Sequence, residues 1–322
     1  MRRGGSGAIR FAIAPYRFGH GARANAAAGT MHAIAPVSPH WGGSVAEMAP
    51  TSVSLRASQH RRIAVAIAAC AAFGLGDAQA QINTACKLAA QGTGTVRSVV
   101  DGRTLMLEDG REVRLAALEI APPGDAAGAR AKDALATLAA GQTVELRGTG
   151  AAAETDRYGR VFAHVFLIGG PERWVEAELV GQGHARVSGR IGERACAAAL
   201  FARERTARAG KLGVWADPYY GVRRAEDPAA VTAERGRFAI VEGKVLSVRE
   251  SGPVIYVNFG RRWTQDFTVT IAKRNERSFT EAGLEPKKLE GRRIRIRGWV
   301  EQRGGPWVEA TRPEQIELAE RN

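Results

Sequence analysis

The chain has 322 residues and a formal net charge of +13, from 46 Lys and Arg against 33 Asp and Glu. That length accommodates two domains of ordinary size, and a 45% hydrophobic composition excludes a chain that is disordered throughout. The basic balance points to polyanionic partners such as nucleic acid or an anionic membrane surface.

Residues 1–60 are rich in Ala, Gly, Ser and His and have no sustained hydrophobic period, so a disordered extension is expected there. Four of the six histidines lie in it (His20, His32, His40, His60), with no Cys or carboxylate framing them as a metal site. His60-Arg61-Arg62 then precedes a short apolar run, Ile63 to Gly76, and the sequence Asp77-Ala78-Gln79-Ala80. A basic flank, a short apolar core and an A-x-A ending describe a secretory signal peptide cut after Ala80. The run is too short for a membrane span, so no transmembrane helix is expected in the mature chain. Met48 would give this signal a conventional start. A rival reading takes Ile67-Ala68-Ala69-Cys70 as a lipidation site. Export leaves Cys86 and Cys196 as an even pair in an oxidising compartment, which predicts a disulfide between them.

Strands are expected from Thr93. Thr93–Val100 and Thr104–Leu107 flank the tight turn Asp101-Gly102, and Arg111–Leu118 follows a second turn at Asp109-Gly110. After the break at Pro122-Pro123-Gly124, the Ala-rich segment Ala126–Ala140 reads as a helix stopped by Gly141. Thr143–Arg147 and Val161–Leu167 read as strands, and Trp174–Val180 and Gly192–Ala209 as helices. This order predicts a small closed β-barrel with packed helices, an OB-like fold, over about residues 90–218.

Four motifs in this segment resemble the staphylococcal nuclease (thermonuclease) family in order and spacing: VRSVVDGRTLMLEDGREVRLAALE, TDRYGRVFAHVF, WVEAELVGQGHARV and KLGVW. The resemblance implies calcium-dependent phosphodiester hydrolysis, in which carboxylates hold one Ca²⁺, a Glu activates water and two Arg bind the phosphate. Carried over residue by residue, Arg114 and Arg160 match the phosphate arginines, and the TDRYGR motif around Tyr158 is intact. The family's D-G-D-T-L is Asp101-Gly102-Arg103-Thr104-Leu105 here, so a positive charge replaces a calcium ligand. Glu119 stands for the second ligand Asp, and Pro122 or Pro123 falls where the general base belongs. Asp101 and Asp125 are candidate substitute carboxylates. Arg103, Arg114 and Arg160 could instead converge on one phosphate without metal, because guanidinium forks suit phosphate oxygens. No cofactor is then expected, and Ca²⁺ only if hydrolysis survives.

Residues 219–236 read as a linker. Beyond it, strands are expected at Phe238–Val248, Val254–Phe259, Phe267–Ile271, Arg293–Val300 and Trp307–Ala310, with a helix in the Glu276–Glu290 region. That is again OB-like order and predicts a second β-barrel over 237–318, making the whole a mainly β, α+β protein. The segment from Arg237 onward holds 17 basic and 12 acidic residues. Arg293, Arg295, Arg297 and Trp299 share one strand face at period two, a pattern suited to a nucleic-acid strand, and Arg261-Arg262-Trp263 adds a second basic-aromatic cluster. The functional expectation is an exported, catalytically impaired nuclease homologue that binds nucleic acid or another polyanion. Its alternatives are an active calcium-dependent phosphodiesterase using Glu119, Asp125 and Arg160, and a periplasmic protein-interaction module.

Overall fold

Turn chemistry and alternating apolar residues set the first barrel. A computed structural model describes residues 86–150 and 153–319. The expected signal peptide, its cleavage point and Cys70 lie outside those residues. Strand β1 (Ala89–Asp101) is long, and irregularities in its register let its first half pair with β5 (Thr143–Gly148) and its second half with β2 (Thr104–Leu107). Such bulges bend a strand around a barrel corner. β2 pairs with β3 (Glu112–Leu115), and β3 runs parallel to β7 (Val161–Leu167), which returns to β5 and closes five strands into a barrel. The inward residues, among them Val96, Leu105, Leu107, Val113, Leu115, Leu146 and Val165, are buried in one core. Two-residue strands complete the frame: β4 (Leu118–Glu119), β6 (Glu154–Thr155), β8 (Arg173–Trp174) and β9 (Arg186–Val187).

Three helices pack on this barrel. α1 (Ala126–Ala139) is capped by Asp125, whose side chain accepts the Ala127 N–H, and it buries Ala131, Leu135 and Ala139. α2 (Val175–Gly181) and α3 (Arg194–Ala209) follow. Cys86, just before β1, is disulfide-bonded to Cys196 in the first turn of α3, with Cα atoms 4.6 Å apart. The paired cysteines expected from the sequence are therefore joined. They tie the barrel's entry strand to its last helix across 110 residues.

The segment expected as a linker is packed on both barrels: Tyr220 sits against Ala121 and Ala127 of the first as well as Phe238 of the second, and the part from Arg223 joins the second barrel. β10 (Arg223–Arg224) runs parallel to β11 (Phe238–Lys244), and α4 (Pro228–Thr232) starts at Asp227, whose carboxylate accepts the Ala230 N–H. Arg223 pairs with the buried Glu234, which locks the segment in place.

In the second barrel the single strand expected over Phe238–Val248 is two. β11 pairs with β15 (Arg293–Trp299), and after the Val245-Leu246 corner β12 (Ser247–Ser251) pairs with β13 (Val254–Asn258). β14 (Thr268–Ala272) follows β13, then runs parallel to β17 (Gly305–Glu309), itself paired with β16 (Glu301–Arg303). β18 (Ile316–Leu318) closes against β15. The helix expected over 276–290 ends early: α5 spans Glu276–Glu281, because Gly283 takes φ +74° and Pro286 then starts a separate turn. Val257, Phe267, Ile271, Phe279, Ile294 and Ile296 form its core. No helix among the described residues is long and apolar enough to cross a membrane.

Candidate anion-binding site

The site is built where β1 turns into β2. Asp101 Oδ1 accepts the Arg103 N–H at 2.9 Å, which fixes the turn. A glycine is required at 102, since a Cβ there would stand 2.9 Å from both Ala131 Cβ and Ile120 Cγ2. That close approach seats the turn on α1. Arg103 leaves the turn toward β4, and its Nη1 lies 3.4 Å from Glu119 Oε2. Glu119 is tethered by the pairing of β4 with β9, where it faces Arg186. Burial lifts the Glu119 carboxyl above its ordinary range, opposed by the nearby charges of Arg103, Arg186 and Arg114.

Arg114 lies on β3, across from Thr104 and beside Phe162. Its guanidinium is half-buried and has no hydrogen bond or ion pair among the described residues. Burial, then the like charges of Arg103 and Arg160, push its pKa down. An arginine remains protonated regardless, so Arg114 is a half-buried cation near Arg103 and Arg160, partly compensated by the charges of Asp101 and Glu119. A bound anion would add to that compensation.

Arg160 comes from the tight loop before β7. Asp156 organises that loop: its Oδ1 accepts the N–H groups of Tyr158 and Arg160, and its Oδ2 accepts Arg160 Nε at 2.7 Å. The Asp156 contact raises the Arg160 pKa and leaves the guanidinium positioned beside the Tyr158 ring, 5.3 Å from its centre. Tyr158 is 66% exposed. Arg114, Tyr158 and Arg160 line one groove together with Arg157 and Arg190. The latter two were not singled out by sequence reasoning. Arg157 was legible inside the TDRYGR motif, whereas Arg190 reaches the groove only through the fold.

The neighbouring groove holds Asp101, Arg103, Glu119, Pro122, Pro123 and Lys132, and Trp299 of the second barrel stands at its edge. Asp125 does not line it. Its Oδ1 caps α1 and its Oδ2 accepts the Tyr220 hydroxyl at 2.7 Å, which lowers its pKa. The candidate role of Asp125 as a substitute ligand is therefore corrected to a structural one.

The row Arg293, Arg295, Arg297 and Trp299 also requires correction. It does share one face, with Ile294 and Ile296 buried on the other, but that face is covered at Arg297 and its arginines are taken up by carboxylates. Arg297 is 0% exposed. Its Nη1 donates to Glu204 of α3 at 2.9 Å and to the Val187 carbonyl, and its Nη2 to Glu317 of β18 at 3.0 Å. Arg295 pairs with Glu242 and Glu317, and Arg293 with Glu226 and Glu242. The row is a neutralised seam against the first barrel rather than an open nucleic-acid face. Trp299 remains 56% exposed, at the groove just described, and Arg293 is exposed at the other end of the strand.

Comparison with known proteins places this geometry. The family described as Staphylococcal nuclease homologue matches residues 113–217. A micrococcal nuclease of Shigella flexneri is 33% identical over 134 residues, 39% of this chain and 74% of that protein. The chain belongs to the staphylococcal nuclease family. The family's resemblance implies a calcium ion at the Asp101–Glu119 groove, and the residues present do not fit one. Calcium takes roughly six to eight oxygen ligands. Asp101 and Glu119 are the carboxylates lining this groove among the described residues, and each already has an oxygen engaged by Arg103. Pro122 and Pro123 bring no side-chain oxygen. The Arg103 guanidinium lies against Glu119, one of the two carboxylates a cation would need.

Proposed function

We propose that this staphylococcal nuclease family member is exported and catalytically impaired, and that it holds a phosphate-bearing polyanion, nucleic acid first among them, without metal. The observation that carries the reading is Arg114: a half-buried guanidinium, with no carboxylate partner among the described residues, next to Arg103 and Arg160. Fixed positive donors of this kind are what a phosphate needs, and bidentate guanidinium contacts supply both charge and geometry. Impairment is supported by Arg103 pairing with Glu119 and by proline at the base position. Export rests on the basic flank, apolar core and A-x-A ending before Gln81, and on the Cys86–Cys196 disulfide, which suits an oxidising compartment.

The test uses the purified chain with supercoiled plasmid, in calcium and then in chelator. No chelator-sensitive cutting is expected. A labelled oligonucleotide should bind with strong salt dependence. Three phosphate contacts on a single strand give a slope near −2 in log K against log salt, roughly a 20-fold loss between 50 and 200 mM. Arg114→Ala with Arg160→Ala should flatten that slope. Chelator-sensitive cutting that Arg160→Ala abolishes would instead establish an active phosphodiesterase. Salt-independent affinity would remove the phosphate-led reading.

A further inference from the structure

The second barrel carries a groove that the family relationship does not touch. Its floor is the face of the sheet β12-β13-β14-β17-β16 turned away from the core in Val257, Val269 and Val308. Strand register lays the outward residues in rows. Arg249 faces Tyr256, Tyr256 faces Thr270, and Thr270 faces Glu309. One step along, Asn258 faces Thr268 and Thr268 faces Trp307. Small side chains at Ser251, Thr268, Thr270 and Ala272 keep the floor low, while Tyr256, Trp263 and Trp307 stand around it. The resulting groove has a volume of about 700 Å³, within the range of ligand sites in general.

Charge decides what this groove suits. Arg249 and Arg303 line it, and Arg261 and Arg262 flank Trp263 on the loop that overhangs it. None of these four guanidinium groups has a carboxylate ion pair among the described residues, in contrast to every arginine of the β15 row; the Asp266 carboxylate bonds only the backbone N–H of Arg262. Arg303 lies over the Trp307 ring at 4.3 Å, which holds its positive charge against the groove wall. Trp263 is 71% exposed, a large flat apolar surface left open to solvent. Glu309 is the acidic lining residue, so the local balance stays basic.

From these side chains we infer that the groove is a binding site for single-stranded nucleic acid. Bases stack on Trp263 and Tyr256, and the unpaired arginines track the phosphates, the combination that suits unstacked strands of any sequence. A neutral oligosaccharide would use the aromatic planes but leave four arginines without counter-charges. The site uses none of the residues of the Arg114–Arg160 groove, so it stands or falls independently of the function proposed for that groove.

The experiment titrates the full chain with a fluorescein-labelled dT12 oligonucleotide, following anisotropy and tryptophan emission. Binding should quench tryptophan fluorescence. Trp263→Ala should weaken binding at least fivefold while leaving the thermal melt unchanged, since the ring is exposed. Arg249→Gln with Arg303→Gln should lower the salt slope by roughly 1.4, about 0.7 per lost contact. Arg114→Ala with Arg160→Ala reports on the other groove and should leave the quenching in place. The inference is overturned if Trp263→Ala and Arg249→Gln/Arg303→Gln bind dT12 as the parent does. It is also overturned if a neutral hexasaccharide, and not dT12, quenches the tryptophans. In the first of these outcomes, loss of dT12 binding in Arg114→Ala/Arg160→Ala would leave the first groove's function standing.

Discussion

Replacing Arg297 with alanine should loosen the whole molecule, because this one guanidinium satisfies groups of both barrels. It is fully buried, bonds Glu204 and the Val187 carbonyl of the first barrel and Glu317 of the second, and lies 4.2 Å from the centre of the Phe201 ring. Glu204 has a further partner in the Val187 N–H at 2.7 Å, and Glu317 has Arg205 and Arg295, so neither carboxylate would be wholly abandoned. Removing one member of a buried ion pair typically costs about 3–5 kcal/mol, since the remaining charge stays in a poorly solvating place. The residual partners put the expectation toward the lower end, about 3 kcal/mol. Urea unfolding followed by tryptophan fluorescence and far-ultraviolet circular dichroism would measure it. The seam joins two cores, so the variant should also split one transition into two as the barrels unfold separately. Arg297→Met combined with Glu204→Gln and Glu317→Gln, which removes the charges together, should recover much of the loss. Destabilisation below about 1 kcal/mol for Arg297→Ala, with a single coincident transition, would refute the view that this triad holds the barrels together.

Three further outcomes follow from buried or bridging groups. Glu176 is fully buried beside His164, and burial raises its pKa to about 8 while lowering that of His164 to about 4. The folded chain therefore keeps a proton that the unfolded chain releases above pH 4.5. Stability should fall by up to about 1.4 kcal/mol per pH unit as pH rises toward 8, offset by His164 only below pH 6.5. In Glu176→Gln the decline between pH 6.5 and 8 should vanish from denaturant midpoints, and parallel profiles would contradict the assignment. Asp125→Ala should cost about 1 kcal/mol through lost capping of α1, measured by thermal melt, with unchanged oligonucleotide affinity. Reducing Cys86–Cys196, verified by mass spectrometry, should destabilise the chain by roughly 4–5 kcal/mol on the chain-entropy view of a loop this long.

Much of the first barrel was legible because its signals are local. Asp-Gly turns, the break at Pro122-Pro123-Gly124 and Gly141 bound elements whose interior residues then sort by period, and β2, α1 and β7 fall within a residue of expectation. Corners were less legible. β11 and β12 read as one strand because apolar residues recur from Phe238 to Val248 and no Pro or turn dipeptide marks the corner at Val245-Leu246. The expected convergence of Arg103, Arg114 and Arg160 came from motif resemblance, and only Arg114 and Arg160 line the same groove, Arg103 standing in the neighbouring one. Asp125 looked like a spare carboxylate because its partner Tyr220 is 95 residues away.

The β15 row shows the physical limit most clearly. Period two states which residues share a face and says nothing of what covers it. Arg297 meets Glu204, 93 residues earlier on a helix of the other barrel. Two arginine-aromatic patterns of similar appearance thus have opposite fates. In one, acidic residues of α3, β11 and β18 neutralise the arginines and turn them into structure. In the other, the guanidinium groups of Arg249, Arg261, Arg262 and Arg303 form no ion pair with a carboxylate among the described residues. Net charge counts both sets alike. A phosphate distinguishes them, because a guanidinium already sharing its protons with a buried carboxylate must break that bond first, whereas an unpaired one exchanges only water. The pairing of each arginine, rather than its presence, is therefore what favours the proposed polyanion contacts at Arg114 and on the Trp263 face and disfavours them along the seam.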